Sequence, residues 1–284
     1  MGELIFLFIL VFIWLLAASI SDLKKREVPN WLSFSLIVFA FAFRLFYSVL
    51  NADFWFLLNG VIGFGVFFGF AYLFYYGRVF AGGDAKLLMA LGSVLPFTSS
   101  LYQNFFIFIV FILLLLIVGS IYGLIYSLVL VVLNTKKFSS EFMRQFKTKR
   151  RLFLISLIFF FLFFIFIIFI KEISLFVFPF LILLFPILYV YAKAVEEACL
   201  VKYVDVKDVT IGDWLYEEVR IKKKKIKPYW EGLNEEDLEL LKKYKKKVLI
   251  KQGIPFVPVF LIAFSILIYL WYSSPEFFNF LWFS

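Results

Sequence analysis

Two acids, Asp22 and Asp84, stand at the ends of long apolar segments and are the groups best suited to chemistry there. Two close carboxylates can share one proton, because like charge raises one pKa and leaves the other low. One then takes a proton from water. The other protonates a carbonyl oxygen and afterwards a leaving nitrogen. That is metal-free hydrolysis of an amide, and the sequence excludes most other routes to it. There is no His in the chain, which removes His-assisted serine or cysteine catalysis, HExxH zinc sites and haem held by His. The single Cys, Cys199, allows no intrachain disulfide and no CxxC knuckle. It reads as a small apolar residue near a helix end. No cofactor and no metal are expected.

The elements that must position these acids are apolar helices. Hydrophobic residues make up 64% of the chain and Phe alone 43 positions. A soluble domain is about 45–50% apolar, so this composition belongs in a membrane. Apolar runs of about 18 residues or more read as membrane-spanning helices. The runs lack the period-two alternation of barrel strands. The expected fold is an all-α membrane protein, a polytopic helical bundle of about eight spans, with a small polar domain before the last one. The spans fall at 4–21, 31–50, 55–77, 84–96, 104–133, 152–170, 173–192 and 254–272. Three regions follow: 1–192 as the transmembrane core, 193–253 as a mixed-charge domain, and 254–284 as the last span and its tail.

Charge order sets the topology. Glu3 precedes the first run, and Lys24, Lys25 and Arg26 follow it. A signal peptide has the reverse order. Positive residues stay inside, so the N-terminus is expected outside and loop 22–30 in the cytoplasm. The basic stretch 134–151 (Lys136, Lys137, Arg144, Lys147, Lys149, Arg150, Arg151 against Glu141) reads as a second cytoplasmic loop. Lys171 and Glu172 make an outer turn. The formal charge of +9 is gathered in such loops, which suits anionic lipid rather than nucleic acid. Pro179 and Pro186 are expected to kink the seventh span. Gly65 and Gly69 have small-xxx-small spacing, which suits helix packing. In 193–253 a helix is expected near 234–250, capped at Asn234, with early acids and late lysines that suit its dipole. The Lys222–Lys225 run reads as a solvated edge. The tail 275–284, with Pro275, Phe277, Phe278, Trp282 and Phe283, is too short to cross and suits the outer interface.

On this topology Asp53 and Glu172 belong to outer turns, whereas Asp22 and Asp84 share the cytoplasmic boundary. Asp84 follows Ala81-Gly82-Gly83, where two glycines permit close backbone approach. Lys86 comes two residues later. Asp22 is followed by Val28-Pro29-Asn30, a rigid turn into the next helix.

These residues resemble a known family. Asp22 with Val28-Pro29-Asn30, and Gly82-Gly83-Asp84-Ala85-Lys86-Leu87, look like the type IV prepilin peptidases and their archaeal preflagellin relatives, membrane aspartyl peptidases of the GxGD kind. Gly253-Ile254-Pro255-Phe256 opens the last span as a similar segment does in that family. Gly212-Asp213-Trp214, within Val209–Leu215, resembles a segment of the archaeal members' cytoplasmic domain. The resemblance runs in order through most of the chain, though some thirty residues carry it. It implies that Asp22 and Asp84 are catalytic and that Gly82, Gly83 and Lys86 form the active-site loop. It implies removal of the short basic leader of prepilin-like or preflagellin-like proteins at the cytoplasmic face. Ala81 departs from the first Gly of GxGD. The cysteine-bearing N-terminal segment linked to N-methylation in many bacterial members is missing, so a cleavage-only, archaeal-type enzyme is expected. Spans 152–192 add helix beyond the smallest members. Part of 193–253 is expected to gate or read the leader; full cleavage after its deletion would overturn that.

Two other readings stay open. A presenilin-like peptidase would carry Tyr-Asp and Pro-Ala-Leu motifs, but Ser21 precedes Asp22 and Pro-Ala-Leu does not occur. A membrane transporter or structural membrane protein would use Asp22 and Asp84 to bind an ion or proton. It should carry mid-span charge and often an internal repeat. Arg44 is the main mid-span charge here, and no repeat is visible.

Overall fold

The structure, a computed structural model, describes residues 2–170, 173–221 and 224–279. The expected outer turn at Lys171 and Glu172, the first half of the Lys222–Lys225 run, and Trp282 and Phe283 lie outside the described residues. In chain order the elements are α1 (Gly2–Lys25), α2 (Asn30–Asn51), α3 (Phe54–Tyr76), α4 (Gly82–Gly92), α5 (Leu101–Leu133), α6 (Thr135–Thr148), α7 (Arg150–Ile170) and α8 (Val177–Val195). Then come β1 (Val201–Asp205), β2 (Trp214–Leu215), β3 (Val219–Ile221), β4 (Lys224–Ile226), α9 (Glu235–Tyr244), β5 (Lys247–Lys251), α10 (Val257–Ser273) and α11 (Pro275–Asn279).

Among the described residues, six helices are long and apolar enough to cross a membrane. They are α1, α2, α3, α5, α7 and the helix that begins at Val177. The chain is a polytopic helical membrane protein. The fourth and eighth expected spans are shorter helices, α4 with 11 residues and α10 with 17. The chain forms two compact units, Met1–Leu124 with Ile254–Ser284, and Ile125–Gly253. The division falls inside α5, so residues 125–192 group with 193–253.

In the first unit, apolar residues at helical spacing turn inward. Leu7, Val11, Leu15 and Ala18 of α1 are fully buried, as are Ala263, Phe264 and Leu267 of α10. The Trp14 indole N–H donates to Ser35 Oγ at 2.9 Å, which ties α1 to α2. Helix α3 meets α4 at glycines. A Cβ on Gly63 would lie 2.4 Å from the Gly92 carbonyl oxygen, and one on Gly92 would lie 2.5 Å from Phe67 Cβ. The packing glycines are thus Gly60, Gly63 and Gly92. Gly65 and Gly69 are exposed, with open space where a Cβ would stand. Gly65 and Gly69 have the small-xxx-small spacing, yet the face with Gly60, Gly63, Phe67 and Ala71 is the buried one.

The second unit departs from expectation in three places. The basic stretch read as a loop is helix α6, whose half-buried face carries Phe138, Glu141, Phe142 and Gln145. The helix expected over 234–250 ends at Tyr244, and β5 follows. Asn234 does cap it, accepting from the Asp237 N–H at 2.8 Å. The polar segment also holds a three-stranded sheet in the order β1-β5-β2 and a β3–β4 hairpin, both antiparallel. Gly212-Asp213-Trp214 forms a turn: Gly212 takes φ +95°, the Asp213 carboxylate accepts from the Thr210 N–H at 2.8 Å, and Trp214 stacks on Trp230. Lys224 pairs with Asp237 at 2.9 Å, so this part of the lysine run serves the domain's own packing. Pro179 lies in the first turn of α8, where its missing N–H costs little, while Pro186 is interior.

The α3–α4 contact yields a prediction. Gly92→Ala should overpack the interface and lower stability by about 1–3 kcal/mol. Thermal unfolding in detergent should show a lower midpoint, while Gly65→Ala leaves it unchanged.

Candidate active site

Asp22 lies in the last turn of α1, just before Lys24 and Lys25. The helix closes when Arg26 adopts φ +60° and its N–H bonds to the Asp22 carbonyl at 2.8 Å. The Asp22 side chain does not face solvent; the residue is 6% exposed. Its Oδ2 accepts the Val257 N–H at 2.9 Å, and the Phe256 N–H also faces it. Val257 opens α10, where backbone N–H groups have no partner in their own helix. Asp22 therefore caps a helix 235 residues away in sequence. Negative charge is favoured there, because the N-terminus carries the positive end of the helix dipole.

Asp84 is the third residue of α4. The expected Gly82–Asp84 loop is instead the first turn of that helix, with Ala81 in an extended conformation as its N-cap. The Asp84 carboxylate turns back to the Ala81 backbone N–H, the acid half of a capping box. The departure from GxGD at Ala81 needs no left-handed conformation, since its φ is −71°.

Three contacts bring the start of α4 beside the start of α10 and the turn from α1 into α2. Phe80, buried just before α4, packs on Phe256 and Phe260 with ring centroids 5.5 and 5.8 Å apart. Gly83 faces Val28, where a Cβ would stand 3.4 Å from Val28 Cβ. Lys86 Nζ donates to Asn30 Oδ1 at 2.8 Å. The structure thus places Gly82 and Gly83 in the helix start against Tyr75 and Val28, and Lys86 on the start of α2. The carboxylates of Asp22 and Asp84 are near enough to act on each other electrostatically.

Sequence reasoning gave no role to Val257 or Phe80, and read Asn30 only as part of a turn. Val257 acts through its backbone N–H, which leaves no compositional mark. Asn30 follows Pro29, and that motif was visible without its partner. A lysine one turn into an apolar helix was the available sign that Lys86 must have an acceptor.

Fold and site define a multi-pass helical membrane protein with two aspartates held on two helix N-termini within one unit. Residues 9–131 match the type IV leader peptidase family. The chain is similar to a preflagellin peptidase of Methanocaldococcus jannaschii, 37% identical over 89 residues, 31% of this chain and 38% of that protein. A preflagellin peptidase of Methanococcus maripaludis is 32% identical over 82 residues, 29% of this chain and 35% of the other. A prepilin peptidase EppA of Methanothermobacter thermautotrophicus is 31% identical over 163 residues, 51% of this chain and 42% of the other. The matches span less than half the length of these relatives. No solved structure matches.

The Lys86–Asn30 bond can be measured. A double-mutant cycle of Lys86→Ala and Asn30→Ala, read by thermal unfolding, should show coupling of about 0.5 kcal/mol or more. Additive effects would mean that the bond does not join α4 to α2.

Proposed function

We propose that this chain is a membrane aspartyl endopeptidase of the cell membrane. It removes the short basic leader of prepilin-like or preflagellin-like proteins at the cytoplasmic face. The observation that carries this reading is that Asp22, which caps α10, and Asp84, in the first turn of α4, stand on helix starts packed together through Phe80, Phe256 and Phe260, inside the segment that matches the leader peptidase family. The names of the similar proteins supply the substrate class.

The chemistry follows from the pair. With one proton between two carboxylates, the ionised one takes a proton from water as it attacks the scissile carbonyl. The protonated one donates to the carbonyl oxygen, and the proton later reaches the departing nitrogen. Asp22 Oδ2 is engaged by Val257, which leaves the other oxygen for the water or the shared proton. By the positive-inside rule, the basic residues after α1 support a cytoplasmic side for the end of α1 that carries Asp22, with the N-terminus outside, and the basic residues of α6 suit the cytoplasmic side by the same rule. There they also meet anionic lipid. The transporter reading loses support at Arg44, whose guanidinium is closed in by backbone carbonyls rather than lining a path.

Cleavage of tagged prepilins and preflagellins in membranes tests the reading. Asp22→Asn and Asp84→Asn should each lower the rate about a hundredfold or more. Wild-type rates for both single variants would sink the aspartyl mechanism.

A further inference from the structure

Arg44 is the one fully buried charge in the first unit's core among the described residues, with 0% exposure. An isolated buried cation costs several kcal/mol unless its donors are matched. No acid forms an ion pair with it among the described residues; backbone carbonyls take that role. Nε donates to the Ser93 carbonyl at 2.7 Å, and Nη2 donates to Val94 at 3.0 Å and Pro96 at 2.8 Å. Nη1 donates to the Phe56 carbonyl at 2.7 Å, and the guanidinium lies 4.5 Å over the Phe56 ring. Three of the four acceptors belong to residues 93–96, directly after α4. The C-terminal end of a helix carries partial negative charge, which a cation offsets.

The two ends of α4 therefore carry different duties. The N-terminal turn holds Asp84. The C-terminal end is gripped by Arg44, and an 11-residue helix separates the ends by only about 15 Å. Because α4 is short and stiff, its anchored end fixes the depth and direction of the other. The grip has room for nothing else: a Cβ on Gly60 would lie 2.5 Å from Arg44 Cδ.

We propose that Arg44 is a positioning residue for the hydrolytic pair: by binding the carbonyls that follow α4, it sets where Asp84 stands relative to Asp22. The inference rests on the proposed peptidase reading but is tested separately from it. A misplacement of about 1 Å can cost about a hundredfold in rate.

The test uses the full chain in membranes. Arg44→Met is expected to lower kcat for a tagged prepilin or preflagellin about a hundredfold, with KM unchanged. Arg44→Lys, which keeps the charge and reaches fewer carbonyls, should recover part of that loss. Gly60→Ala displaces the guanidinium without removing it and should lower kcat in the same direction. It decides the matter if Arg44→Met fails to fold. A weakened fold alone would also lower cleavage, so a second readout is proximity. In a Cys199→Ala background, Asp22→Cys with Asp84→Cys is joined by a short bifunctional thiol reagent. Trp14→Cys with Ser35→Cys, positions bonded across α1 and α2, is the control. Adding Arg44→Met should abolish most of the 22–84 cross-link and leave the 14–35 cross-link intact. Wild-type kcat in both Arg44→Met and Gly60→Ala, or equal loss of the two cross-links, overturns the proposal. The cross-links involve no cleavage, so they judge Arg44 even if Asp22→Asn and Asp84→Asn prove active and the peptidase reading fails.

Discussion

Helix α4 is too short for the place it occupies. A bilayer core is about 30 Å thick and needs about 20 helical residues; α4 has 11. The chain that follows it, residues 93–100, is not regular helix. Exposed backbone polar groups are not tolerated in hydrocarbon, so such a segment must be satisfied by protein. Arg44 takes the carbonyls of Ser93, Val94 and Pro96. Asn104 Oδ1 accepts the Phe97 and Thr98 N–H groups at 3.0 and 3.1 Å, and its Nδ2 donates to the Thr98 carbonyl at 2.8 Å. Two polar side chains buried in apolar helices thus make a broken helix admissible. The close glycine contact of α3 with α4 and the Asn30–Lys86 bond then complete its seat.

A broken helix has a use that a continuous one lacks, because it puts a helix N-terminus beside other helix ends. Asp84 occupies the start of α4, and Asp22 caps the start of α10. Each carboxylate is held by backbone N–H groups, and Arg26 acts electrostatically on Asp22 as well. N–H groups and helix dipoles orient the acids while leaving them coupled to each other. That arrangement suits chemistry in which one proton serves two oxygens.

The spans were legible because a helix in lipid must be apolar over its length, and nothing else in a sequence looks like 18 such residues. Asp22 and Asp84 were legible by contrast, since acids are scarce in such surroundings. Basic α6 was misread as a loop because positive charge marks the membrane side, not the conformation. Its inward residues, Phe138 and Phe142, lie four apart as a helix requires. The strands of 201–251 are two to five residues long, too short for a period-two pattern to stand out from mixed charge. Gly65 and Gly69 had the small-xxx-small spacing in their favour, but the buried face of α3 carries Gly60 and Gly63, which lack it; only the neighbouring helices select the face. Arg44 was visible as an anomaly, but three of its four acceptors are main-chain oxygens some fifty residues on. No side-chain pattern could announce them.

Asp22 combines two duties that limit how it can change. As the cap of α10 it must present an acceptor to Val257. As half of the proposed hydrolytic pair it would also gain and lose a proton. The two are compatible because a carboxyl group has two oxygens, and the one bound to Val257 can remain an acceptor while the other titrates. An amide in its place keeps the acceptor and loses the proton, so Asn separates the duties. Alanine would remove both and leave the first N–H of α10 buried without a partner, which itself costs about 1–3 kcal/mol. The same reasoning explains why Gly253-Ile254-Pro255-Phe256 stands with the two acids. That segment ends where the α10 N–H groups begin, and those groups hold Asp22 in place. Helix α10 therefore contributes backbone N–H groups to hold Asp22 and the Phe260 ring, with Phe256 just before it, to seat Phe80 ahead of α4.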